Sequence, residues 1–198
     1  PALRAGQNPG HISRDSRAAS GVNRPAMEIS TKFGVNGNIV ATATPAWAKV
    51  VFPDLPEDQA VLRLWDAIFA ASRLTGADPV ADWAAHNATL HRRAEFLNDA
   101  RYAALHFTGP GTDLTVGLAD GHDWAGGSEK AGNGIVCNPN IPTEEVFTTP
   151  HRLKVEGYVA STKPLSHQGT LIDDIRVRFE GGKIVEMHAS KGEDVLSR

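Results

Sequence analysis

The stretch "IRVRFEGGKIVEMH", residues 175–188, carries two strand patterns around a pair of glycines. Ile175, Val177 and Phe179 alternate with Arg176 and Arg178, the two-residue period of a strand with one apolar and one wet face. Gly181-Gly182 suits a tight hairpin turn, because glycine accepts positive φ without steric cost. "KIVEMH" then returns the chain. Working upstream, "RLKVEGYVAST" (152–162) reads as another strand. "YAALHFTG" (102–109) and "TDLTVGLA" (112–119) read as two more, joined by Gly/Pro punctuation. Beyond residue 100, the chain is predicted to be strand-rich.

Before residue 100 the period is that of a helix. In "PEDQAVLRLWDAIFAASRL" (56–74), Val61, Leu64, Trp65, Ile68 and Phe69 recur at helical spacing, with Glu57 and Asp58 at the positive N-terminal end. Asp78 followed by Pro79 starts a second helix running to about residue 100, with Trp83, Leu90 and Phe96 as its apolar marks. Pro45 opens a short helix over 45–52, and "NIVATAT" (38–44) reads as a buried strand. Residues 1–24 are polar with weak helical periodicity, and 25–33 suit a short helix closed by Gly34. Segregation of this kind predicts an α+β chain: the tail of an α/β region with a helical block over 1–100, then a strand-rich, mixed-sheet part over 101–198.

Composition removes several functions. Of 198 residues, 41% are apolar and 22% charged, as in ordinary globular domains. A net charge of −3 provides no basic field for phosphates, and no aromatic-basic interleaving favours nucleic acid. No apolar run approaches membrane-spanning length. Cys137 is the single cysteine, which excludes an internal disulfide and agrees with a reducing, cytoplasmic compartment. Both ends read as cut. The chain begins with Pro1, and Ser190 with Glu193 form a capping-box signature only a few residues before Arg198, so an interior piece of a longer protein is expected.

The chemistry-bearing candidates are few. No GxSxG, Walker A, HExxH or paired CxxC motif is present. His86 and His91 lie five apart, not the three or four that would stack them on a helix face, so they read as surface or partly packed histidines. "NPNIPTEEVFTTPHR" (138–152) sets Glu144 and Glu145 between prolines, and neighbouring side chains in an extended segment face opposite ways. The pair is either a solvated turn or one wall of a metal site. His122, His151 and His167 are ligand candidates; His122 and His167 have backbone-satisfying alternatives, His151 has the positive charge of Arg152 beside it, and Asp113 reads as a turn aspartate holding backbone N–H groups.

Several long motifs taken together resemble the M29 family of metallopeptidases, of the aminopeptidase T and aminopeptidase S type. They are "TPAWAKVVFPDLP", "YAALHFTGPGTDLTVGLADGHDW", "NIPTEEVFTTPHR", "STKPLSHQGTLIDD" and "ASKGEDVL", in that order from about residue 38 onward. The resemblance implies an exopeptidase that removes N-terminal residues from peptide substrates, using two divalent metal ions (Zn, Co, Mn or Mg). It implies an N-terminal α/β domain, a metal-binding C-terminal domain and a homodimer at full length. It maps one metal ligand onto Glu145, leaves Glu144 a supporting or solvent role, and makes the segments 111–128 and 163–170 candidate pocket or structural walls. The family's remaining ligands, a Glu in a Leu-Gly-Glu-type motif, a His after an Asn-rich stretch and a His-x-Asp, are expected beyond Arg198. Residues 1–198 alone are therefore expected to be inactive. The alternative is a non-catalytic α/β binding or interaction module, favoured if those motifs do not follow.

Overall fold

The computed structural model describes residues 8–167 and 170–196; residues 1–7, 168–169 and 197–198 lie outside the described residues. Gln168 and Gly169 of the 163–170 stretch fall in that excluded set.

The first half is helical: α1 Pro9–Thr31, β1 Ile39–Val40, α2 Pro45–Val51, α3 Glu57–Ala71 and α4 Pro79–Ala100. The second half is strand-rich: β2 Ala104–Gly109, β3 Thr112–Leu118, β4 Glu129–Lys130, β5 Val136–Cys137, β6 Asn140–Ile141, β7 Pro150–Ala160, β8 Leu165–His167, β9 Thr170–Ile172, β10 Arg176–Glu180 and β11 Lys183–His188, then α5 Glu193–Leu196. The α+β class holds. The main sheet has five strands in the order β11-β10-β7-β3-β2, every pairing antiparallel, while the one parallel pairing among the described residues joins β1 to β6.

Local signals explain most boundaries. Thr44 caps α2 by accepting from the Trp47 N–H, and Asp78 caps α4 by accepting from Val80 and Ala81. Ala48, Ala60, Leu64 and Ile68 form a buried cluster between α2 and α3, with Phe52, Leu55 and Trp65 packed against it. On α4 the buried residues are Trp83, Leu90 and Ala94, spaced to share one helix face. In the sheet, β10 and β11 meet at Gly181 and Gly182, both at positive φ. Cross-strand register puts Phe107 beside Leu114, Val116 beside Val155 and Val177 beside Val159, which makes one face of the sheet apolar.

Five expectations are corrected. The N-terminal polar stretch and the 25–33 segment form one helix, α1, started by Asn8 accepting from the Gly10 N–H, with Pro25 inside it. Its end is turned by Phe33 at φ 50, not by Gly34. The 38–44 strand shrinks to two residues, and Ile39 and Val40 are exposed rather than buried. Phe96 is exposed, because it falls on the far side of α4 from Leu90. The capping box is not made. Glu193 reaches past Ser190 to the Ala189 N–H at 2.8 Å, while the Ser190 N–H donates to Asp173 O at 3.0 Å and its hydroxyl to Asp174 at 2.6 Å.

Candidate metal centre

The loop carrying the paired carboxylates begins at β6 and is held from two sides. β6 pairs with β1, and the Ile39 N–H donates to Pro139 O at 2.8 Å. The Ile141–Pro142 peptide is cis. From the helical side, His86 Nε2 lies 2.7 Å from Thr143 O; a carbonyl only accepts, so this nitrogen carries the proton. Arg73 Nη2 donates to Glu144 Oε1 at 2.6 Å, and His86 Nε2 lies 3.7 Å from Glu144 Oε2.

From the strand-rich side, Ala125 and Phe147 exchange both backbone hydrogen bonds, at 3.0 and 2.9 Å. Thr148 Oγ1 donates to Asp123 O at 2.7 Å. Gly126 packs directly on the loop: a Cβ there would lie 2.7 Å from Glu145 O and 2.9 Å from Val146 Cγ1. Residues 143–148 are thus fixed on both flanks of Glu145, the stiffness that a ligand-bearing loop requires.

The two glutamates have different surroundings. Glu144 is neutralised by Arg73. Glu145 is exposed, and its carboxylate has no hydrogen bond or ion pair among the described residues. Both line an open hollow of about 660 Å³, with Ile39, Val40, Ile141 and Pro142 as its apolar part. An ionised carboxylate on a stiff loop is a hard oxygen donor, suited to a divalent cation. Such an ion takes four or more ligands. Among the described residues, no group of three His, Cys, Asp or Glu side chains is placed to hold one. The donor fits such a cation chemically, but a single carboxylate is one position of the four or more it needs.

The other candidates sit apart from Glu145. His122 Nδ1 lies 2.9 Å from Ala119 O, the backbone role its loop suggested. His151 Nδ1 accepts from the Leu153 N–H, and His91 Nε2 lies 2.8 Å from Ser128 O. His167 is exposed at the end of β8. Asp113 departs from expectation: it lies within β3 and pairs with His106 at 2.7 Å across the hairpin instead of holding a turn. Cys137 is half-buried in β5, as a packing residue would be. Sequence reasoning missed Arg73, and it missed His86 as a partner of the glutamate loop. Their side chains meet that loop across 71 and 57 residues of chain, a separation that no local pattern marks.

Helices come first and an antiparallel sheet follows, with the glutamate loop clamped by residues of both parts. A family model described as "Thermophilic metalloprotease (M29)" matches residues 1–198. The chain belongs to the M29 family. It is 52% identical over 198 residues to "Aminopeptidase T" of Thermus aquaticus, covering 100% of this chain and 48% of the relative. It is 39% identical over 196 residues to "Aminopeptidase AmpS" of Bacillus subtilis (strain 168), covering 99% of this chain and 48% of the relative. The solved structure of wild-type AmpT from Thermus thermophilus superposes with a TM-score of 0.91 at 50% identity, covering 100% of this chain and 48% of that one. The chain thus spans about half the length of these relatives. No helix among the described residues is long and apolar enough to cross a membrane.

Proposed function

We propose that the protein carrying this chain is a metal-dependent aminopeptidase that removes N-terminal residues from peptides, with Glu145 as one ligand of a centre of two divalent ions. The observation that carries the reading is the M29 match over residues 1–198, together with relatives named as aminopeptidases at 39–52% identity. Glu145 supports it as the unpaired carboxylate on a loop fixed from both sides. When bound, the ions supply Lewis-acid polarisation of the scissile carbonyl and an activated water at neutral pH. The chain's own part is to hold a hard oxygen in place while Arg73 occupies the adjacent carboxylate, so that Glu144 does not compete for the cation. Zinc, cobalt, manganese and magnesium are all compatible with carboxylate ligation.

The proposal includes a division of labour, with residues 1–100 closing an N-terminal α/β region and 101–198 opening the metal-binding domain. It also includes homodimeric assembly and a cytoplasmic site of action. The test is Glu145→Ala in the complete protein. Metal content by elemental analysis and release of an N-terminal residue from a short peptide should both fall steeply. Retention of the full metal load and rate by that variant would overturn the reading. Residues 1–198 alone should hydrolyse no faster than a protein-free control.

A further inference from the structure

We infer that Arg73 and His86 are positioning residues for Glu145, acting through Glu144 and Thr143; this rests on the reading of Glu145 as a metal ligand. Three contacts reach the two residues before it. Arg73 Nη2 meets Glu144 Oε1 at 2.6 Å, His86 Nε2 meets Thr143 O at 2.7 Å, and the same His86 nitrogen lies 3.7 Å from Glu144 Oε2. One residue organises both partners. Trp83 Nε1 donates to Ser72 O at 2.8 Å in a buried bond, fixing the backbone next to Arg73. The Trp83 ring also stands edge-on to His86, with centroids 5.5 Å apart at 80°. A single indole therefore sets the start of the Arg73 side chain and the plane of the His86 ring.

Arg73 is held at a cost. Its Nε is buried with no partner among the described residues, while its φ of 58 is the left-handed turn that ends α3, as at Phe33 and Arg101. An ion pair to a glutamate that is 62% exposed does not offset the unpaired donor. A cost retained there points to a geometric task rather than to stability. The geometry fits that task, because the downstream side of Glu145 is already fixed by the Ala125–Phe147 bridge and the Gly126 contact. With both neighbours fixed, only the side-chain torsions of Glu145 stay free. Pairing Arg73 with Glu144 also leaves Glu145 as the loop's single uncompensated charge.

The test uses the complete protein stripped of metal, titrated with Zn²⁺ by calorimetry, with melting of the apoprotein and peptide hydrolysis recorded alongside. Arg73→Ala and Glu144→Gln should each weaken Zn²⁺ binding about 10–100-fold, the usual effect of removing a group that orients a ligand. The apoprotein melting temperature should not change. Reversing the pair, Arg73→Glu with Glu144→Arg, should restore most of the lost affinity, which a merely structural role would not do. Unchanged Zn²⁺ affinity in Arg73→Ala and Glu144→Gln, while Glu145→Ala loses it, overturns the positioning role alone. Unchanged affinity in Glu145→Ala overturns the ligand reading itself. If Arg73→Ala does not fold, Glu144→Gln decides, because that side chain is largely exposed.

Discussion

Replacing Gly126 with alanine probes how tightly the glutamate loop is seated. Gly126 is not among the positive-φ glycines, so alanine meets no backbone penalty there and the whole effect comes from contact. The added methyl would lie 2.7 Å from Glu145 O, 2.9 Å from Val146 Cγ1 and 3.2 Å from Val146 Cα. Two of these three neighbours are backbone atoms, which no rotamer change can move aside. To reach an ordinary contact of 3.4 Å from 2.7 Å, the loop must retreat by about 0.7 Å, straining the Ala125–Phe147 bridge. Overpacking of this size costs about 1–3 kcal/mol. At about 2–4 °C per kcal/mol for a chain of this length, the melting temperature should drop by several degrees. With Glu145 as the proposed ligand, a shift approaching 1 Å costs on the order of 100-fold in rate, so the proposed peptide hydrolysis by the complete protein should fall further than stability does. Thermal unfolding by circular dichroism and steady-state hydrolysis read the two effects. Gly109→Ala is the control, with nothing near its Cβ and no positive φ, and should leave both unchanged. A Gly126→Ala protein that melts and turns over like its parent would refute the close seating of the loop.

Three further outcomes are expected. Leu90→Ala empties a fully buried site on α4 and should lower stability by about 2–5 kcal/mol in urea unfolding. Asp78→Ala removes the cap that accepts from Val80 and Ala81 and should cost about 1 kcal/mol in the same assay. The Ala189 N–H, with His188 beside it, holds the Glu193 carboxyl below its ordinary value of 4.5, against a smaller opposing effect of desolvation. A carboxyl lowered on folding adds stability above its unfolded value and loses it as pH falls through the folded one. Melting temperature should therefore decline with acidification below about 4.5, and Glu193→Gln should flatten that decline.

Periodicity and caps made most of the fold legible. The helix starts at Thr44 and Asp78 and the hairpin at Gly181-Gly182 are local events, decided by side chains a few residues from the backbone they satisfy. Some misses were local, such as the α1 start at Asn8 and its end at Phe33, while those nearest the site were decided by distant partners. Ile39 and Val40 look like core, yet their exposure depends on what lies beyond one short pairing with β6. Asp113 looks like a turn residue until the hairpin register brings His106 within 2.7 Å. The Glu144–Glu145 dipeptide was visible at once, and resemblance selected Glu145. The physical difference between the two, one paired with Arg73 and the other free, needed the fold to bring α3 to the loop.

The contacts between α4 and the segment that follows have a consequence of their own. Asn87 and Asn138 exchange amide hydrogen bonds at 2.9 and 2.8 Å, and Asn98 both donates to Trp124 O and accepts from the Trp124 N–H. With His86 on Thr143 O and His91 on Ser128 O, this part of the seam is sewn with hydrogen bonds to side-chain amides and backbone carbonyls. Mobile counter-ions have no purchase on such stitching. Concentrated salt should loosen the peripheral Arg178–Glu186 pair well before it parts the helix from the loop that bears the glutamates.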